Sequence, residues 1–421
     1  MKRNRNLVIA STFLALIVAC GVGQSVVEDA AQEQAAAGGD GQLVPMFEVD
    51  PLWPKNLPNH WLMGPTIGVD VDSRDHIWVV HRNTPDQFAG RTEIGLVQDP
   101  PLSECCAPGP PVLEFDQEGN LVASWGGPGT ETGDYVWPVS NHGITIDHMD
   151  NVWIGGNGGP DSHVLKFSRD GSFLMQVGRP GARVTGERDG RPVLERDSHA
   201  TDSFGRVAKI GIDAAANEAY FADGYFNRRV AVVDMDTGEL KRYWGAYGNE
   251  PDDSLNLGRY TPGAKPAQQF RGPVHCSEIS NDGLVYVCDR AEDRIQVFQK
   301  DGTFVNEVII APATLSQGST WDLDFSPDAE QMYIYLADGQ NMKVYIILRE
   351  TMEVLTAFGD GGRQPGMFFA VHSIAVDSAG NIYTTETYEG SRLQKFVYTG
   401  MGPIPAGAEG TNSQGVLWPS N

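Results

Sequence analysis

FGDGGRQPGMFFAVHSIAVDSAGNIYTTETYEGSRLQKF, residues 358–396, decides the fold. An alternating apolar strand runs from Val371 to Val376, and Asp377-Ser378-Ala379-Gly380-Asn381 turns it. An aromatic-rich strand starts at Ile382, and after a loop a third strand ends in Phe396. Period-2 alternation punctuated by Gly, Asn and Asp marks a meander of short antiparallel strands. The same order recurs from near Ile67, His142, Ala208, His275 and Trp321. Outer strands close on Trp125-Gly126, Val177-Gly178, Trp244-Gly245 and Phe358-Gly359. One four-stranded sheet cannot bury both faces, whereas six packed radially cover them and hide most edges. The expectation is an all-β, six-bladed β-propeller over residues 47–400. No outer strand follows Lys395-Phe396-Val397, and Met46-Phe47-Glu48-Val49 is placed to supply it and close the ring.

These units resemble the NHL-type repeat. The chain has 421 residues, 49 Gly, 26 Pro and 41% hydrophobic residues, a composition suited to one turn-rich β domain with a sizeable core. A formal charge of −24 argues against nucleic acid, whose phosphates it would repel. Lys2, Arg3 and Arg5 precede the apolar stretch Leu7 to Ala19, and Ile17-Val18-Ala19-Cys20 resembles a bacterial lipobox. Residues 1–20 therefore read as a lipoprotein signal peptide, with Cys20 as the lipidated N-terminus. Residues 21–46 read as a flexible tether and residues 401–421 as a C-terminal tail. The chain is expected to be exported and held on the periplasmic or outer side of a bacterial envelope by its lipid alone, as a monomer. Cys276 and Cys288 flank a turn and could bridge neighbouring strands; the state of adjacent Cys105 and Cys106 is left open.

Every second unit carries a histidine at its start: His142, His275 and His372, each five residues before the Asp147, Ser280 or Asp377 that ends the strand. In a six-bladed ring these positions lie about 120° apart around the axis. Three imidazoles converging with one position open are a common way to hold a catalytic zinc. The plainer alternative is three channel histidines bonded to backbone carbonyls. The face where the innermost strands begin also carries the loops after the second strands, which bring Arg82, Tyr225 and Arg290. Two guanidiniums beside a metal suit a carboxylate-bearing substrate, and the tyrosine is suited to act as a base. Gly155-Gly156-Asn157-Gly158-Gly159 lacks a following helix and lysine, so it reads as a turn and not a phosphate loop.

His81-Arg82, His142-Gly143, Asp223-Gly224-Tyr225-x-Asn227-x-Arg229, Val274-His275, Asp289-Arg290-x-x-x-Arg294-Ile295 and His372 resemble the lyase half of the peptide-amidating enzymes. That family, the peptidyl-α-hydroxyglycine α-amidating lyases, is similar over roughly residues 65–398. The resemblance implies zinc on His142, His275 and His372, a substrate carboxylate on Arg82 and Arg290, and Tyr225 as base. The implied reaction cleaves the C–N bond of an α-hydroxyglycine-type or related small substrate. Ser373 stands where the family has an Asp that helps hold a structural calcium, so Ca2+ is not carried over. Lys209 replaces a usual Asp of the third blade and reads as one more positive charge for an anionic substrate. A metal-dependent hydrolase or lactonase, and a non-catalytic surface propeller binding protein or glycan, remain the alternatives.

Overall fold

The computed structural model describes residues 42–84 and 93–419. The export signal, Cys20 and nearly all of the tether lie outside the described residues. The described residues form six four-stranded antiparallel sheets, the blades of a propeller, and two small two-stranded sheets in the loops. Their innermost strands are Thr66–Val71, Asn141–Ile146, Ile210–Asp213, Val274–Ile279, Asp322–Phe325 and Val371–Val376. The second strands are Ile77–His81, Val152–Gly156, Glu218–Asp223, Leu284–Asp289, Tyr333–Asp338 and Ile382–Glu386.

The ring closes as the sequence suggested. Leu43–Asp50 pairs antiparallel with Arg392–Pro403 and becomes the outermost strand of blade six. Two boundaries shift. Leu43 to Met46 belong to this strand and not to the tether. The C-terminal segment is not a loose tail. It runs along the edge of blade five, where Gln414 N–H donates to Ala357 at 2.8 Å, and on to blade six, where Leu417 accepts from Val49 at 2.7 Å. These backbone groups would otherwise be unpaired sheet edge.

The repeating Asp turn has a local cause. Asp72, Asp147 and Asp377 each accept backbone N–H groups across the turn and reach an aromatic on the next strand: Trp78 at 2.9 Å, Trp153 at 3.0 Å and Tyr383 at 2.9 Å. The residue three places on is left-handed, with φ of 57° at Asp75, 60° at Asp150 and 85° at Gly380. Only Gly, Asn and Asp take that conformation cheaply, which is why the pattern alternates between Asp and Gly there. The core lies between blades. Trp153 and Val164 meet Phe221 and Val233, while Phe47 and Phe396 meet Tyr335 and Phe358. Each such fully buried side chain contributes about 1.5–3 kcal/mol, so the ring is held by its blade-to-blade contacts.

Candidate functional site

The innermost strands are bulged where the histidines stand. Pairing with the second strand skips between Val274 and Cys276 and between Val371 and Ser373, leaving His275 and His372 as extra residues. It also skips across His142-Gly143 and at Ile67. A bulge frees the extra residue from the ladder and re-aims its side chain, here toward the axis. The result is a near-equilateral triangle of rings with centroids 5.1, 4.8 and 4.9 Å apart.

Each ring is oriented by the blade that follows. His142 Nδ1 donates to the Ala208 carbonyl at 2.7 Å and His372 Nδ1 to that of Ile67 at 2.6 Å. His275 Nδ1 donates to the Trp321 carbonyl. Histidine blades thus alternate with carbonyl blades. Since a carbonyl can only accept, Nδ1 carries the proton and the Nε2 lone pair is left to face the axis. The ligand atoms of the three rings lie within 4.8 Å of one another. Burial pushes His372 down to about 3 and holds His142 and His275 well below the ordinary imidazole value. Three buried, neutral, correctly protonated imidazoles fit a divalent transition metal, so these donors suit zinc. Gly143 permits the arrangement, because a Cβ there would lie 2.4 Å from the Ala208 carbonyl oxygen that orients His142.

Above the triangle stands Tyr225. Its hydroxyl lies 2.8 Å from His142 Nε2 and 2.9 Å from His275 Nε2, and Arg290 Nη1 donates to it at 3.2 Å. Arg290 stacks on Trp321 with its guanidinium carbon 4.4 Å from the ring centre, and Nη2 donates to Gln317 at 3.3 Å. Across the mouth, Arg82 Nη2 donates to Asn157 at 2.9 Å. Among the described residues neither guanidinium has an ion-pair partner. In a chain of charge −24, two arginines kept free of carboxylates beside one tyrosine are placed to receive an anion.

The loops that carry these groups are clamped from below. Asp223 accepts from Arg229 Nε at 2.8 Å, and both side chains are fully buried; it also holds Asn227 at 2.9 Å. Asp289 accepts from Arg294 in the same way at 2.9 Å. The two motifs that frame Tyr225 and Arg290 therefore encode a buried ion pair at the root of each loop.

Lys209 needs a correction. Its ammonium reaches the axis but is not free for a substrate. It donates to both oxygens of Asp322 at 2.9 and 2.8 Å and lies 3.1 Å from Glu278. His81 is no member of the triangle, since its Nε2 donates to Pro110 and its Nδ1 accepts from Gly64. The sequence reading missed Asn157, Gln317, Trp321 and Tyr388, whose hydroxyl donates to Gln317 at 2.9 Å. Asn157 and Tyr388 stand one or two residues past a second strand, as do Arg82, Tyr225 and Arg290. Aligning the repeats at that offset would have found both. The disulfide Cys276–Cys288 joins facing residues of adjacent strands, with Cα atoms 4.9 Å apart, and Cys105 is bonded to Cys106.

No model of a known protein family matches the chain. NHL repeat-containing protein 3 of Mus musculus is 26% identical over 321 residues, 74% of this chain and 70% of its own length. Peptidyl-alpha-hydroxyglycine alpha-amidating lyase 1 of Drosophila melanogaster is 24% identical over 271 residues, 61% of this chain. The chain is a six-bladed propeller, similar at 26% and 24% identity to an NHL repeat-containing protein and an amidating lyase. Peptidyl-glycine alpha-amidating monooxygenase B of Xenopus laevis is 25% identical over 262 residues, 59% of this chain. The propeller matches 44% of the fly protein's length and 25% of the frog protein's.

Proposed function

We propose that this propeller is a zinc-dependent carbon–nitrogen lyase that splits an α-hydroxyglycine-type carbinolamide into an amide and a glyoxylate-like aldehyde. The observation that carries the reading is the conjunction at one mouth of three Nε2 lone pairs, one tyrosine hydroxyl and two arginines without an ion-pair partner among the described residues. His142, His275 and His372 would hold the zinc, which when bound supplies a Lewis acid for the substrate hydroxyl.

The chain's own groups account for the rest. Arg82 and Arg290 grip the terminal carboxylate and fix the hydroxyl-bearing carbon over the triangle. Tyr225 is the group placed to take the hydroxyl proton. As the C–O bond becomes a carbonyl, the C–N electron pair leaves with the nitrogen, which takes up a proton. The O–H and C–N bonds break, a C=O π bond and an N–H bond form, and no electron acceptor is needed. The Cys276–Cys288 disulfide supports an oxidising compartment, in keeping with export and anchorage through Cys20.

Glyoxylate release from an α-hydroxyglycine peptide by zinc-loaded protein tests this directly. Stoichiometric zinc in protein purified without added metal, with release of glyoxylate, is the expected result. Zinc without glyoxylate release would favour a hydrolase at the same centre. Absence of both would leave a binding propeller.

A further inference from the structure

One residue below the histidine layer, the tunnel carries a second layer of a different kind. Lys209 follows Ala208, the residue whose carbonyl orients His142. Asp322 follows Trp321, the residue whose carbonyl orients His275. Ser373 follows His372. Asp322 bonds to both of the others. Lys209 Nζ donates to both Asp322 oxygens, and Ser373 Oγ donates to Asp322 Oδ2 at 2.6 Å. Ser373 Oγ also accepts the Val69 N–H at 3.3 Å, two residues from the Ile67 whose carbonyl orients His372. All three carbonyl blades are thereby tied together directly beneath the triangle.

Lys209 is the cation at the centre of this layer. Glu278 lies 3.1 Å from it, and the further carboxylates Asp70 and Asp324 brace neighbouring blades through the N–H groups of Ile146 at 2.6 Å and Val376 at 2.8 Å. Burial pushes these three carboxyls up, Asp70 to about 6, Asp324 to about 7 and Glu278 to about 8, while the lysine's pull opposes the rise. Without an ammonium the layer would hold mutually repelling buried carboxylates.

We propose that Lys209 is a positioning residue: a tethered cation that locks Asp322 and Ser373 into a floor and so fixes the carbonyls that aim the three histidines. The proposal rests on the metal reading above. Groups that orient metal-binding imidazoles typically change metal affinity about 10–100-fold when removed, and Lys209 acts through the backbone carbonyls to the same end.

The test is zinc affinity of the whole chain, read by competition with a chromophoric chelator, alongside a thermal melt. Lys209→Met should weaken zinc binding about 10–100-fold. Ser373→Ala, a mild change that keeps the ion pair, should weaken it several-fold. Lys209→Ala should regain affinity when methylammonium is added, because a free cation can enter the space left by the side chain. Lys166→Met is the control. Lys166 is a buried lysine on another strand, bonded to the Met235 carbonyl at 3.1 Å and 3.6 Å from Asp147. That variant should melt lower yet bind zinc as the parent does. If Lys209→Met does not fold, Ser373→Ala decides. Parental zinc affinity in the Lys209 and Ser373 variants overturns this proposal alone. A parent chain that binds no zinc overturns the metal reading with it.

Discussion

The histidine layer and the charged layer beneath it are lined by the same six strands, yet they solve opposite problems. In the upper layer three lone pairs point at one place and no protein charge cancels them. Their rings are kept neutral by burial and fixed by carbonyls. In the lower layer the ammonium of Lys209 lies between Asp322 and Glu278, while Asp70 and Asp324 accept backbone N–H groups. The upper layer turns electron pairs toward a place with no protein cation, while the floor beneath it draws its partners from within the ring. The contrast follows from the cost of burying a charge without a partner.

Breaking the upper layer should have the largest effect. His275→Ala should abolish stoichiometric zinc and with it measurable glyoxylate release, as metal analysis and a glyoxylate assay would show. Tyr225→Phe should keep zinc but lower kcat about 100- to 10,000-fold, the usual range for a lost proton-transfer group. Retention of full kcat would remove Tyr225 from the chemistry. Arg229→Leu strikes the root of the tyrosine loop. Leaving Asp223 buried and unpaired should destabilise the fold by about 3–5 kcal/mol in urea titration. Gly143→Ala pushes a methyl group against the Ala208 carbonyl and should cost about 1–3 kcal/mol while weakening zinc binding. An alanine accepted there without loss would mean that blades two and three need not approach so closely.

The smallest effect sharpens the lower layer. Glu278 is pushed up to about 8 by burial. The folded chain therefore holds this proton more tightly than the unfolded chain. Its contribution to stability is full below the ordinary carboxylate value, near 4.5, and is lost as pH rises toward about 8. Glu278→Gln cannot titrate. Melting temperatures measured across that interval should show the parent losing ground to the variant as pH rises, with no further divergence above it.

Much of this was legible in the chain. The Asp turn, the Gly-closed outer strands and the closing segment near Phe47 are local patterns, and local patterns set strand order and ring closure. The histidines were legible because a repeat places equivalent residues at equivalent heights. Tyr225 and Arg290 were legible because each follows a second strand, at an offset the repeat fixes. Lys209 was misjudged for the converse reason. Its partner Asp322 is 113 residues away, and only the closed ring brings the two together. The bulges were hidden as well, since a single unpaired residue leaves the alternation of neighbouring side chains almost unchanged.

Six blades, the height at which three imidazoles stand and the face on which two arginines and a tyrosine gather are all written in the order of residues. These depend on periodicity and on turns a few residues long. The contacts made when the ring closes decide which ring nitrogen faces the axis, which arginines lack an ion-pair partner among the described residues and which lysine is taken up by carboxylates. Those outcomes are contacts between blades, made by groups that have no relation to one another until the ring has closed.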